Sequence, residues 1–484
     1  MSKTTIPEIP EGTVSAYPTK KFFVSMLTRD IALIDAIMDL LDNCIDGIHR
    51  KQKESVIKGS KPYEGFFGEI TINEDGFSLK DNCGGIPLDI AIEYAFKMGR
   101  DPGYNQDDNL ETVGMYGIGM KRAIFKMGLE AEVYSHDAKD QFKVNIPSDW
   151  KDSEKWYFDY SSLTKEEIKE YLETNGTLIK ISSLHENIRK QFQDKAGFLK
   201  NLEGELRNHY GYIIQKGFKI TLNGINIAPL ELNIITSKDS NNPHAIKPYV
   251  YSSKIGDVDV EVIIGFYRPP ASNEEIDKEL DGDVAKSSTE NAGVTVLCND
   301  RVVLFCDKTY LTGWGEPPVP KYHTQFIAIA GVVHFRSTNP IHLPVTTTKR
   351  GLDTSSTVYA EVKVAIREGL KIFTSFTNNW KTPSEERTQL FKEINKINAL
   401  QPGQTKDNKL LNLDKKKRGD NVSSYQIPIL PKPPKEKIDS SVLISFRREN
   451  QKVQSIIDNY FPGESKSPSD IGGWCFDEFY NQID

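Results

Sequence analysis

The chain has 484 residues, a formal net charge of −7, 38% hydrophobic residues and 27% charged residues. This length suits roughly two or three domains with a large core; no apolar run reaches the length of a membrane span, and the acidic balance argues against a protein that coats nucleic acid along its length. Five cysteines without a C-x-x-C pair and eight scattered histidines predict neither a disulfide framework nor a zinc site, and the first 21 residues lack an apolar stretch of signal-peptide type, which predicts a cytoplasmic or nuclear protein.

In chain order, residues 1–25 read as an extended arm. Residues 36–47 carry apolar side chains at helical spacing. Asp39, Asn43 and Asp46 stand four and three residues apart and therefore share one helical face. A carboxylate can orient a water and an amide oxygen suits a hard cation such as Mg²⁺. Taken alone, the segment reads better as a partly solvated helix.

Residues 68–73 and 76–81 alternate as the strands of a hairpin. The loop Asp81-Asn82-Cys83-Gly84-Gly85-Ile86-Pro87 then leads into a helix near 88–98. A polar stretch over 99–112 precedes Gly114-Met115-Tyr116-Gly117-Ile118-Gly119-Met120-Lys121, which opens another helix. Strands follow at 131–134, 141–146 and 176–181, and 219–227 is a hairpin with an Asn-Gly turn. The mixture predicts an α+β sandwich with helices on one face of a mixed sheet, ending near Pro229.

A second α/β region spans about 230–376, with a strand–turn–strand at 294–304, an apolar strand at 326–335 and a helix from near Thr357. Composition turns basic and proline-bearing over 402–437, which includes Lys415-Lys416-Lys417-Arg418, and this reads as a linker. Beyond it, 447–460 forms an amphipathic helix, and Ile471-Gly472-Gly473-Trp474-Cys475-Phe476 is apolar enough to dock on a partner.

Glycines without Cβ atoms let the backbone approach a phosphate and aim N–H groups at it, and a helix beginning at Gly119 adds its positive end. An aspartate at a strand end can accept a hydrogen bond from an exocyclic amine, and Gly84 and Gly85 would let a flat ring lie against the backbone. Singly, each piece has a plainer explanation: structural turns often give a G-x-x-G-x-G spacing, and Asp81 suits an Asx-capped turn.

Together, in this order, the Asp39–Asn43 helix, Asp81 with Gly84 and Gly85, the Gly114-to-Gly119 run and Thr177 resemble the GHKL ATPase superfamily of gyrase, heat-shock chaperone, histidine kinase and MutL, over about residues 25–185. The resemblance implies a Bergerat-type ATP-binding α/β sandwich. It implies that Asn43 coordinates Mg²⁺, that Asp81 binds the adenine amino group, and that Thr177 supports Asp81. Gly85, Ile86 and Met98 would shape the nucleotide pocket. Gly114, Gly117 and Gly119 would give N–H groups to the phosphates, with Tyr116, Ile118, Met120 and Lys121 of the same box beside them. Asp39 falls at the general base, and Asp46 takes a structural role. Two positions depart from the family pattern: Asp39 replaces a glutamate, which implies slow turnover, and Cys83 replaces the first glycine of D-x-G-x-G.

Downstream, Thr346 to Asp353 resembles the loop by which the transducer domains of gyrase, MutL and Microrchidia proteins send a lysine to the γ-phosphate, with Lys349 in that place. The 294–304 hairpin and the following strand look most like the Microrchidia version. The implied organisation is an N-terminal arm (1–25), an ATP-binding domain (26–229), a ribosomal-protein-like transducer (230–378), a helical and basic linker (379–437) and a small helical docking segment (438–484). The implied activity is a Mg-dependent ATPase that forms a homodimer on binding ATP and acts as a clamp or switch. DNA is a candidate ligand through Lys415 to Arg418, for which a solvated linker is an equal explanation; no membrane partner is expected. The alternative is a hydrolysis-deficient, nucleotide-dependent module that recruits a protein through 438–484.

Overall fold

A computed structural model describes residues 12, 14, 19–53, 58–99, 107, 109–114, 117–239, 242, 245–271, 291–381, 384–399, 414–418, 421–434 and 444–483. The chain is mixed α+β and divides into two compact units, Met1–Pro433 and Pro434–Asp484.

The first unit contains two large sheets. The first runs Asp159–Ser162, Gln141–Ile146, Gly128–His136, Gly176–Leu184, Phe77–Asp81, Phe67–Ile72, Lys219–Leu222, Ile225–Asn226. Its neighbours are antiparallel except for Phe67–Ile72 against Lys219–Leu222. Strand alternation decides which residues meet the core. In Phe77–Asp81, Phe77, Leu79 and Asp81 all point inward, opposite Ile72, Ile70 and Gly68. Asp81 is thus the last residue of an apolar stripe, and it is buried because the stripe continues through it.

The helices Leu33–Gln52, Gly119–Met127 and Lys200–Gln215 cover that inward face. Ile37, Leu40, Leu41, Ile45, Ala123, Ile124, Leu206 and Tyr210 fill the space between. The second sheet runs Arg301–Asp307, Gly293–Cys298, Ile329–Arg336, Val258–Phe266, Tyr249–Ile255, Asn421–Gln426, Asp414–Arg418. The helix Thr357–Asn379, capped by Ser356, packs Val362, Ile366, Leu370 and Phe373 against it.

Three segments differ from expectation. Lys20–Arg29 is helical, so the supposed arm ends in a helix whose Lys20 ammonium donates to the carbonyls of Trp150 and Ser153 at 3.0 and 2.7 Å. Beyond Leu88–Ile90, residues Ala91–Ala95 adopt a π-helical turn. The supposed linker is paired instead: Ile394–Asn398 lies antiparallel to Asn233–Ser237, and Asn421–Gln426 joins Tyr249–Ile255.

In the second unit, Asn450–Tyr460 and Pro468–Tyr480 form a helical pair, with Trp474 against Tyr460 and Phe461 at ring separations of 5.0 and 5.1 Å. Among the described residues, no helix is long and apolar enough to cross a membrane.

Candidate functional site

A cavity of about 770 Å³ opens between the Asp39 helix, the end of the Phe77–Asp81 strand and the start of the Gly119 helix. It collects Asp39, Asn43, Asp81, Gly85, Ile86, Gly114, Gly117, Ile118, Gly119, Met120, Lys121, Thr177 and Lys349. Two expected residues are not brought in. Met98 packs on the apolar core and does not line the cavity. Tyr116 lies outside the described residues, as does most of 100–108.

Leu33–Gln52 is buried along nearly its whole length. Between Leu33 and Arg50 the one exposed residue is Asn43, and it opens onto the cavity. An amide held in the middle of a buried helix with its face free is placed for a ligand. The carboxylates on either side are not free. Asp39 Oδ2 lies 2.5 Å from Arg122, and its Oδ1 lies 3.4 Å from Lys349 Nζ. Asp46 accepts the N–H groups of Val113 and Gly114, both at 2.9 Å, so it ties the glycine-rich segment to the helix. A Cβ on Gly114 would sit 2.6 Å from that carboxylate, which is why this position is glycine. Burial pushes the Asp46 carboxyl above its usual range, partly offset by Arg50.

Asp42, on the same helix, does not line the cavity and is the hub of a buried charge cluster. Its Oδ1 receives Arg301 Nε at 2.9 Å and Tyr210 Oη at 2.7 Å, and its Oδ2 receives Lys349 Nζ at 2.9 Å. Burial alone would raise its pKa, but Lys349 and Arg301 overcome this and hold it at about 2. Lys349 is itself disfavoured as a cation by burial, and Asp42, Asp39 and Asp46 reverse this and raise it. Its backbone is left-handed, with φ 56°, in a non-glycine residue. Such strain persists only where surrounding contacts impose it.

Asp81 closes the other end. Its Oδ1 accepts the Cys83 N–H at 2.7 Å, and the Cys44 thiol lies 3.6 Å from its Oδ2. Burial dominates its titration and raises it to about 6, against the pull of these hydrogen bonds and of the Thr177 backbone. The loop beyond is bolted to the neighbouring strand: Ile86 N–H donates to Ser135 Oγ at 2.7 Å, and that hydroxyl donates back to Ile86 O at 2.9 Å. Gly85 has φ +76°, and a Cβ there would lie 2.3 Å from His136 O. The glycine is required by this approach of two backbones, besides any ring the loop could face.

The Gly119 helix brings Lys121 to the cavity wall. Its Nζ donates to Ala95 O at 2.8 Å and to Gly117 O. Burial lowers its pKa to about 7. An anion entering the cavity would meet this lysine, Lys349, and the first turn of the helix.

Sequence reasoning missed Asp42, Arg122 and Arg301. One signal was available: from Asp35 to Asp46 the helix carries four aspartates and no lysine or arginine. Buried carboxylates without local cations need partners from elsewhere. Those partners are 83 residues away for Arg122 and 259 for Arg301. No family model matches the chain, and no curated protein matches it.

Proposed function

We propose that the chain binds Mg·ATP in this cavity and uses it as a conformational switch with slow hydrolysis, as a GHKL-type protein most like the Microrchidia ATPases. The observation that carries the reading is convergence. Residues as far apart in sequence as Asp39, Asp81, Gly119, Thr177 and Lys349 line one cavity of about 770 Å³, a size suited to a cofactor. On this reading the first sheet with its helices is a Bergerat-type sandwich, the second sheet is a ribosomal-protein-like transducer, and the terminal unit is a docking segment.

The residues present fit the nucleotide and its metal. Asn43 offers an exposed amide oxygen at the cavity wall. Asp81 offers a carboxylate beside apolar Leu79, Ile86 and Ile179, as an adenine amine flanked by a flat apolar ring requires. Lys121 and the glycine N–H groups offer donors to phosphate. Asn43 would help hold Mg²⁺, which would supply charge neutralisation to the phosphates. Asp81 accepts the adenine amine, with Thr177 behind it. Lys349 exchanges Asp42 and Asp39 for the γ-phosphate, and this frees Asp39 Oδ1 to orient a water. Release of phosphate above background by wild type, and its loss in Asp39→Asn, is the expected result. Equal rates in the two proteins would sink the hydrolytic role.

A second reading is a nucleotide-dependent binding module without turnover. The Arg122 contact at 2.5 Å favours it, because it occupies an Asp39 oxygen that would otherwise be open to a water. ATP-dependent dimerisation without phosphate release would select this reading. In either case the proposed output is a homodimer formed on ATP, with the N-terminal arm crossing between protomers, and with DNA as a candidate ligand.

A further inference from the structure

The helix Pro468–Tyr480 has two apolar faces, and its neighbour covers one. Ile471 is buried and Trp474 packs against Tyr460 and Phe461 at the end of the preceding helix. The second face carries Phe476, Phe479 and Tyr480, which are 55%, 71% and 62% exposed, and Ile483, 72% exposed, follows just past the helix end. The three on the helix are spaced i, i+3, i+4, as the anchors of a helix that lies in an apolar groove are. Gly472 and Gly473 lie inside this helix, at a cost of about 1 kcal/mol each relative to alanine. Nothing inside the unit explains them: a Cβ on Gly473 would meet no atom within 4 Å, and one on Gly472 would only graze Phe446 at 4.0 Å. Gly472 is one helical turn before Phe476, so it leaves a notch at the head of the aromatic stripe.

Charge narrows the partner. From Ser467 to Asp484 the chain has Asp470, Asp477, Glu478 and Asp484 and no lysine or arginine. Asp477 and Glu478 lie between the aromatic anchors, and both are exposed. Asp470 caps the helix with Ser467, whereas Asp477 and Glu478 stand exposed and repel nucleic acid and anionic lipid. We propose that this helix is a docking ligand for a partner protein, which receives Phe476, Phe479, Tyr480 and Ile483 in an apolar groove and meets Asp477 and Glu478 with lysines or arginines on the rim.

The test uses the full chain with the photo-crosslinker p-benzoylphenylalanine at position 479, irradiated in its own cell and followed by purification of the crosslinked protein for direct binding. The expected result is one protein, crosslinked at an apolar groove with a basic rim. Phe479→Ala then weakens direct binding by roughly tenfold or more. Asp477→Lys with Glu478→Lys does the same, and reversing the partner's rim charge restores affinity. Each of these side chains is exposed, so helicity and nucleotide binding stay at wild-type levels. Crosslinks confined to residues 1–433 of the same chain, or to a second copy, would replace the proposal with self-docking. A spread of adducts with no single partner, or charge reversal without effect, would overturn it.

Discussion

Asp81→Asn separates stability from binding at a single atom pair. Burial raises this carboxyl to about 6 in the folded chain, from an ordinary value of about 3.8. Because the folded pKa is raised, the folded state holds its proton more tightly than the unfolded state does. The associated stability is complete below the unfolded pKa and is lost as pH rises through the folded one. This rise corresponds to about 3 kcal/mol by pH 7, of which about 2 kcal/mol is lost between pH 4.5 and 7. Asparagine does not titrate, and its oxygen can still accept the Cys83 N–H. Denaturant unfolding of both proteins across this pH range should therefore show the variant gaining on wild type by about 2 kcal/mol as pH rises. Nucleotide binding should move the other way. The amide can present a donor where the adenine amine needs an acceptor, so ATP affinity should fall at least about a hundredfold, a loss of about 3 kcal/mol. A pH-independent stability difference would refute the buried-carboxylate argument. Unchanged ATP affinity would refute the pocket assignment.

Lys349→Ala should reduce the dimer fraction in ATP far more than it weakens ADP binding, measured by light scattering and titration; a dimer fraction equal to wild type would remove the sensor role. Lys121 is held near pH 7 by burial, so an incoming phosphate should raise its pKa and draw in a proton. Calorimetry at about pH 8 in buffers of different ionisation enthalpy should show uptake approaching one proton per nucleotide, and zero uptake would place Lys121 away from the phosphates. Gly85→Ala forces a Cβ to within 2.3 Å of His136 O at a left-handed position. It should destabilise the chain by about 2 kcal/mol or more and weaken nucleotide binding in parallel, and wild-type stability would contradict the close approach.

Local chemistry was the legible part of the sequence. The Asn-Gly turn at Asn223-Gly224 and the Asn-Asp turn at Asn299-Asp300 both adopt positive φ, as their residue types favour. The alternation in Phe77–Asp81 and the helical period of Leu33–Gln52 likewise mark which residues face inward. Pairing of distant segments was not legible. Asn421–Gln426 reads Asn-Val-Ser-Ser-Tyr-Gln, too polar to announce a strand, and it pairs because Tyr249–Ile255 offers it an edge. Lys20 looks like one more cation in an arm. It is buried because three carbonyls, of Trp150, Ser153 and Lys155, gather on its ammonium. In the site, the residue types that face the cavity were visible, whereas the cations that neutralise the Asp39 helix come from other elements.

Those cations suggest how the two sheets communicate under the proposed function. Among the contacts by which the second sheet reaches the first, two matter here, the Lys349 loop and the turn Asn299-Asp300-Arg301. Asn299 donates to Thr112 O at 3.0 Å, just before the glycine-rich segment; Asp300 meets Lys216 at 2.5 Å and Arg336 and Tyr63 at 2.8 Å; Arg301 meets Asp42 at 2.9 Å. Both routes end on the Asp39 helix or on the segment Asp46 holds, and Asp42 belongs to both, since Arg301 takes one of its oxygens and Lys349 the other. If Lys349 moves to a γ-phosphate, Asp42 loses one of its two cations while still buried, and breaking such a pair costs about 3–5 kcal/mol unless the hairpin repositions Arg301 to compensate. A ligand shifts a conformational equilibrium only by its differential affinity for the two states. The γ-phosphate supplies such a difference, because ADP leaves Lys349 on Asp39 and Asp42 and so leaves the hairpin where it is. Arg301→Met should therefore uncouple the two sheets: ATP still binds, the Lys349 loop still responds, but ATP and ADP then give the same dimer fraction.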